Sequence, residues 1–199
     1  RLLVPAELGL VAIALALVGV AQVLRDLGVG AYLQREPELD DARFASCLGV
    51  LCGATALGAL LLVTAAVPLA RHFAQPGLLP LLGVLLLGFV LQPFSLVMSA
   101  LLQRDLAAGA IAQVSRLGGL AHALTALGLA ALGCGALSLA WAQVVNIVVC
   151  SLAYARLWPP QRAWRPSLRG WSPVLRFGRG ALLNSGLAGV NAALPDLLL

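Results

Sequence analysis

From Leu117 to Ala155 the chain carries no Lys, Arg, Asp or Glu. As a single helix this stretch would be about 58 Å long, roughly twice the hydrocarbon core of a bilayer. It therefore has to fold back on itself. Gly133-Cys134-Gly135 is the strong break inside it. The pattern predicts one span from about Ile111 to Leu132 and another from about Ala136 to Leu157.

The same reading finds three earlier runs. Leu8 to Leu24 is uncharged, is introduced by Pro5 and Glu7, and closes at Arg25-Asp26. A polar stretch from Gln34 to Arg43 follows, and then an uncharged run from about Phe44 to Ala70. Arg71, His72, Gln75, Pro76 and Gly77 form the next turn, and Leu78 to Leu102 is the third run. Pro93 lies within it and is expected to kink it. With 61% hydrophobic and only 11% charged residues, the chain has too little polar surface for a soluble domain. Spanning helices satisfy their own backbone groups, and the alternation of transmembrane strands is not seen. The fold class is all-α, a polytopic transmembrane helix bundle with five complete spans and, from Gly180 to Leu199, the start of a sixth. The chain begins at Arg1 without an initiator Met and stops at Leu199 inside an apolar run, so both ends read as truncations.

Every basic residue is Arg, which a GC-rich genome explains more simply than an Arg-specific role. The loops after Arg25, Gln103 and Leu157 fall on one side of the membrane. With their flanks they hold Arg25, Arg35, Arg43, Arg104, Arg116, Arg156, Arg162, Arg165, Arg169, Arg176 and Arg179. The other side holds Arg1 and Arg71, so the arginine-rich side is expected to be cytoplasmic. Trp158, Trp164 and Trp171 in the basic segment after the fifth span suit a membrane interface. Basic residues confined to short loops do not suggest a nucleic-acid partner.

Motifs for enzyme chemistry are weak. No H-E-x-x-H, G-x-S-x-G or P-loop occurs, so no catalytic residue, cofactor or metal is expected. Cys47, Cys52, Cys134 and Cys150 lack metal-ligand spacing and read as small apolar residues. Asp40-Asp41 invites comparison with metal-assisted glycosyl transfer, but the pair reads more simply as the N-terminal cap of the second span. His72 and His122 are isolated. His122 lies in the fourth span, where an ionisable group raises the question of function.

The polar residues inside the spans form a more suggestive set: Gln22, Gln92, Gln113, Gln143, Asn146, Asn184 and Asn191, with Arg25, Arg116 and Asp196 near helix ends. They serve either interhelical hydrogen bonding or a hydrated cavity for a polar substrate. Arg25 and Arg116 either snorkel to the interface or meet a phosphate-bearing headgroup. Gly49 and Gly53 make a G-x-x-x-G, Ala54 and Gly58 repeat the spacing, and Gly118, Gly119 and Gly128 mark the fourth span. Ordinary bundle packing accounts for these more simply than a dimer interface.

Several short segments together carry a resemblance. Pro5-Ala6-Glu7-Leu8-Gly9-Leu10, Asp26-Leu27-Gly28-Val29-Gly30-Ala31 followed by Leu33-Gln34-Arg35, Pro68-Leu69-Ala70-Arg71-His72-Phe73, Leu101-Leu102-Gln103-Arg104-Asp105-Leu106 and Leu175-Arg176-Phe177-Gly178 stand in the order and spacing of one family. The chain resembles the lipopolysaccharide and exopolysaccharide oligosaccharide flippases of the multidrug, oligosaccharidyl-lipid and polysaccharide exporter superfamily. The match makes the spans family helices two to six and the last run helix seven. Arg179-Gly180 and the separation of Asn191 from Asp196 depart from the family pattern.

The resemblance implies the N-terminal half of a two-bundle transporter. Residues 1–172 would form the N-terminal bundle, without helix one and with a basic cytoplasmic linker, and 173–199 would begin the second bundle. It implies a bacterial inner-membrane protein, not an enzyme, that moves undecaprenyl-diphosphate-linked oligosaccharide between leaflets by alternating access. Its partners would be that lipid-linked sugar, membrane lipid and other polysaccharide-assembly membrane proteins. Substrate contacts would fall on Arg25, Arg116, Gln22, Gln113, Gln143, Asn146 and Asn184, with the diphosphate at Arg25 or Arg116. Three alternatives stay open: a drug or ion-coupled exporter of the same superfamily, a membrane glycosyltransferase or polymerase, and a non-transporting scaffold.

Overall fold

A computed structural model describes residues 5–26, 29–35, 40–72 and 77–157. Those residues form six helices and no strand: α1 (Pro5–Asp26), α2 (Val29–Arg35), α3 (Asp41–His72), α4 (Leu78–Arg104), α5 (Ala108–Ala131) and α6 (Ala136–Leu157). The four helices α3 to α6 are long and apolar enough to cross a membrane, and α1 carries a shorter apolar stretch, Gly9–Val23. The chain is a polytopic helical membrane protein. The linker and the run from Gly180 to Leu199 lie outside the described residues.

The helices start and stop for local reasons. Asp40 Oδ1 accepts from the Arg43 backbone N–H at 2.9 Å, so Asp40 is the cap of α3 and the acid pair has a structural role. Two turns close by the same pair of bonds. After α5, Gly133 N–H donates to the Ala130 carbonyl and Cys134 N–H to the Leu129 carbonyl, with Gly133 at φ 79°. After α4, Leu106 N–H donates to Gln103 and Ala107 N–H to Leu102, with Leu106 at φ 52°. This 6→1 and 5→2 pairing terminates a helix through one left-handed residue, which glycine adopts freely and leucine does not.

One feature departs from expectation. α2 lies in a segment where no helix was expected, and it buries Val29, Tyr32 and Leu33 on one face. α4 continues through Pro93, and α3 likewise contains Pro68. Of the cysteines, Cys47 is buried, whereas Cys52 and Cys134 are exposed.

α4 is the centre of the bundle, in contact with each of the other five helices. Val11, Ala14, Val18 and Ala21 of α1 pack with Leu78, Leu81, Leu82, Leu85 and Phe89 of α4, and with Ala136 and Ala140 of α6. A second apolar cluster joins α2, the start of α3 and the end of α4 around Leu33, Phe44, Leu51 and Val97. A third, around Met98, Leu102, Val114 and Tyr154, joins α4, α5 and α6. The outer faces carry exposed Leu57, Leu60 and Leu61 on α3 and Leu120, Leu124 and Leu127 on α5. The α3 face suits lipid, which is as apolar as leucine.

The two turns give opposite expected outcomes. Leu106→Gly relieves a left-handed leucine and should stabilise the protein by about 1 kcal/mol, whereas Gly133→Ala should cost about as much. Thermal unfolding of the detergent-solubilised full-length protein checks both.

Candidate functional site

The buried positions of α1 fall at Val11, Ala14, Val18 and Ala21, and the next position on that stripe is Arg25. Arg25 is accordingly 1% exposed. On α4 the stripe Leu78, Leu81, Leu85 and Phe89 leads to Gln92 and Pro93. The two stripes meet, and a polar layer forms between the first and second apolar clusters.

Pro93 is the origin of that layer. Proline has no N–H, so the carbonyl four residues back, at Phe89, has no helical donor. Arg25 Nη1 donates to the Phe89 oxygen at 3.2 Å. The same nitrogen donates to Gln92 Oε1 at 3.4 Å, and Gln22 Nε2 donates to that oxygen at 2.9 Å. Arg25 Nε and Nη2 both donate to Asp26 Oδ1, at 2.9 and 2.8 Å. The guanidinium also lies over the Phe89 ring, 4.9 Å from its centroid. Asp26 is 42% exposed, so the ion pair reaches from the interior to the surface. Across the ring lies Gly58 of α3, where an added Cβ would stand 2.8 Å from Phe89 Cζ. One proline thus organises residues from three helices.

This placement bears directly on the expected substrate contacts. Arg25 and Gln22 are turned into the α1–α4 interface, and the Arg25 donors are nearly all committed there. Asn146 belongs to the α5–α6 seam: Cys150 Sγ donates to Asn146 Oδ1 at 3.5 Å. A Cβ on Gly118 would run into Cys150 Sγ, so that seam needs glycine. Gly53, Gly119 and Gly128, by contrast, have open space around them. Gln113 and Arg116 stand on the exposed face of α5, with Arg116 Nε donating back to the Ala112 carbonyl at 3.3 Å. Gln143 faces a cavity of about 120 Å³ together with His122. Asn184, Asn191 and Asp196 lie outside the described residues, and for His72 only the backbone is described. The expected set is therefore divided among an internal tie, a helix seam, an exposed face and a cavity.

That cavity is walled by Val11 and Leu15 of α1, Leu81 and Leu85 of α4, His122 of α5, and Leu139, Ala140 and Gln143 of α6. His122 Nδ1 is buried and has no hydrogen-bond partner among the described residues, a state that costs about 1–3 kcal/mol if nothing offsets it. A further polar bridge was not anticipated: Ser95 of α4 and Ser151 of α6 share a hydrogen bond of 2.7 Å. Serines in apolar runs are common, and only the helix register pairs these two. Among the described residues no group of His, Cys, Asp and Glu is arranged to hold a metal.

A family described as polysaccharide biosynthesis protein has a model that matches residues 1–199, the whole of this chain. No curated protein and no solved structure matches it.

The tie at Pro93 can be tested by a double-mutant cycle. Arg25→Leu should destabilise the protein, because it orphans the Phe89 carbonyl. Pro93→Ala restores a backbone donor and should recover about 1 kcal/mol or more of that loss. Additive effects of the two substitutions in chemical or thermal unfolding would contradict the pairing.

Proposed function

We propose that this chain, which belongs to the family of polysaccharide biosynthesis proteins, is part of a flippase for a lipid-diphosphate-linked oligosaccharide. A role in polysaccharide biosynthesis or export and residence in a membrane follow from the family and the spanning helices. The finer reading is a transporter, not an enzyme, in the bacterial inner membrane. Its arginine-rich loops after Arg25, Gln103 and Leu157 would face the cytoplasm, and residues 1–172 would be the N-terminal bundle of two. Undecaprenyl diphosphate is the carrier that the resemblance implies.

The observation that supports this reading best is the outer face of α5. It exposes Gln113 and Arg116 within a helix long and apolar enough to span a membrane. Polar side chains on a membrane helix face protein or an aqueous path in preference to lipid. In a two-bundle transporter the aqueous path runs between the bundles. On this reading the Gln113–Arg116 face lines the path, and Arg116 is the arginine free to meet a diphosphate. Arg25 holds the bundle together. Gln143 and Asn146 would act from behind that face.

The test is complementation with the full-length gene in a host lacking its own O-antigen flippase, scoring surface polysaccharide and accumulated lipid-linked precursor. Restored polymer with cleared precursor is the expected result. Arg116→Ala should lower export about tenfold or more at unchanged protein abundance, the loss expected for one charge-assisted contact. Persistent precursor across several sugar structures, with the protein present in the membrane, would reject the flippase reading. Unchanged export by Arg116→Ala would remove that residue from it.

A further inference from the structure

α5 is held to the bundle along a narrow line. Its buried residues are Val114, Gly118 and Ala130. Val114 packs with Met98 and Leu102 of α4 and with Tyr154 of α6. Gly118, one turn on, meets Cys150 and Asn146 of α6. Ala130 lies about 18 Å further along the axis, and between the two α5 borders the cavity at His122. The half of α5 that carries Gln113 and Arg116 is therefore placed by Val114 and Gly118. Arg116 stands midway between those two in sequence. At 3.6 residues per turn it lies about 160° around the helix from each, out of the seam and on the exposed face. Whatever sets the separation of α5 from α6 also sets how far Arg116 projects.

That separation leaves no room for a methyl group. A Cβ on Gly118 would overlap Cys150 Sγ and would stand 3.4 Å from Asn146 Oδ1. Cys150 has little freedom to turn away. Its one thiol proton serves Asn146 Oδ1 at 3.5 Å and the Val114 carbonyl at 3.9 Å, and a helix disfavours one of the three χ1 wells. Carbon contacts ordinarily sit at about 3.5–4.0 Å, so a methyl at this position moves α5 off α6 by about 1 Å. Gly119 and Gly128 on the same helix have open space around them, so glycine is not required there for packing.

We propose that the contact of Gly118 with Cys150 and Asn146 is a positioning device for Arg116, holding α5 at the distance from α6 at which the guanidinium meets the diphosphate. The inference rests on the flippase reading for its ligand and on the seam alone for its geometry. Arg116 Nε is turned back to the Ala112 carbonyl, so the two terminal nitrogens are the donors presented to a ligand. A planar fork of donors tolerates little misplacement. Gly118 and Cys150 touch no substrate and act through Arg116.

Paired spin labels at Arg116→Cys and Leu57→Cys, the latter on the exposed face of α3, report the placement of α5. They are read in the full-length protein in lipid nanodiscs, with the exposed Cys52 and Cys134 changed to Ser. Gly118→Ala should shift the mean distance by about 1 Å. Gly118→Ala/Cys150→Ala should return it, and Gly128→Ala should leave it unchanged. Cys150→Ala alone loosens the seam and should shift the distance in the opposite sense, which serves where Gly118→Ala is not monodisperse. Unlabelled proteins with Arg116 in place are then compared in the exchange of a lipid-diphosphate-linked oligosaccharide between liposome leaflets. Gly118→Ala should slow exchange about threefold or more, and the double variant should recover it. A distance indifferent to the residues at 118 and 150 overturns the proposal. So does exchange unchanged by Gly118→Ala where Arg116→Ala lowers it. Absence of exchange in the unsubstituted protein counts against the flippase reading, and the distances still decide whether the seam places Arg116.

Discussion

Pro93 withdraws an N–H from the middle of α4, and the bundle is organised around the group that replaces it. Inside a bilayer an unsatisfied carbonyl costs several kcal/mol, because no lipid tail can donate to it. Arg25 meets the Phe89 carbonyl from α1, which fixes the register of α1 against α4. The same contact lays the guanidinium over the Phe89 ring, and Gly58 lets α3 close on that ring from elsewhere. The charge of Arg25 is balanced locally by Asp26, the next residue in the chain. A buried arginine is tolerated here because its hydrogen bonds and its counterion arrive together.

The polar residues divide the bundle into parts with different tasks. The layer formed by Gln22, Arg25, Asp26 and Gln92 joins α1 to α4. The Ser95–Ser151 bridge joins α4 to α6, and the glycine-dependent seam at Gly118 joins α6 to α5. α1 and α5 are instead separated by the cavity that holds His122 and Gln143. The bundle is thus tied around α4, with a cavity between α1 and α5. Rocking of rigid halves is how many transporters alternate access, and a well-tied bundle is what that motion requires.

Much of the fold was legible because bilayers impose a strict length rule. The charge-free stretch from Leu117 to Ala155 had to turn at Gly133-Cys134-Gly135, and α6 begins and ends where the pattern placed it. The cap at Asp40 was readable from residue type and position alone. α2 was missed because its apolar repeat covers only seven residues beside charged ones. The division of the site residues was harder. The burial of Arg25 was readable in principle, since it extends the stripe Val11, Ala14, Val18 and Ala21. Its partnership with Pro93 was not, because that depends on how two helices distant in sequence align. Gln143 and Asn146 share a helix face by spacing, yet one looks into a cavity and the other into the α5–α6 seam. Spacing on one helix does not reveal which neighbour stands opposite.

The proposed flippase activity is movement of a lipid-linked sugar across a membrane, and that movement can be followed directly. The measurement is made in proteoliposomes that contain the purified full-length protein and a fluorescent lipid-diphosphate-linked oligosaccharide, using a membrane-impermeant glycosidase to report which leaflet holds the sugar. With a flippase the protected inner pool should become accessible faster than in protein-free liposomes, and Arg116→Ala should slow that exchange. An inner pool that stays protected for every oligosaccharide tried, with folded protein in the bilayer, would contradict it.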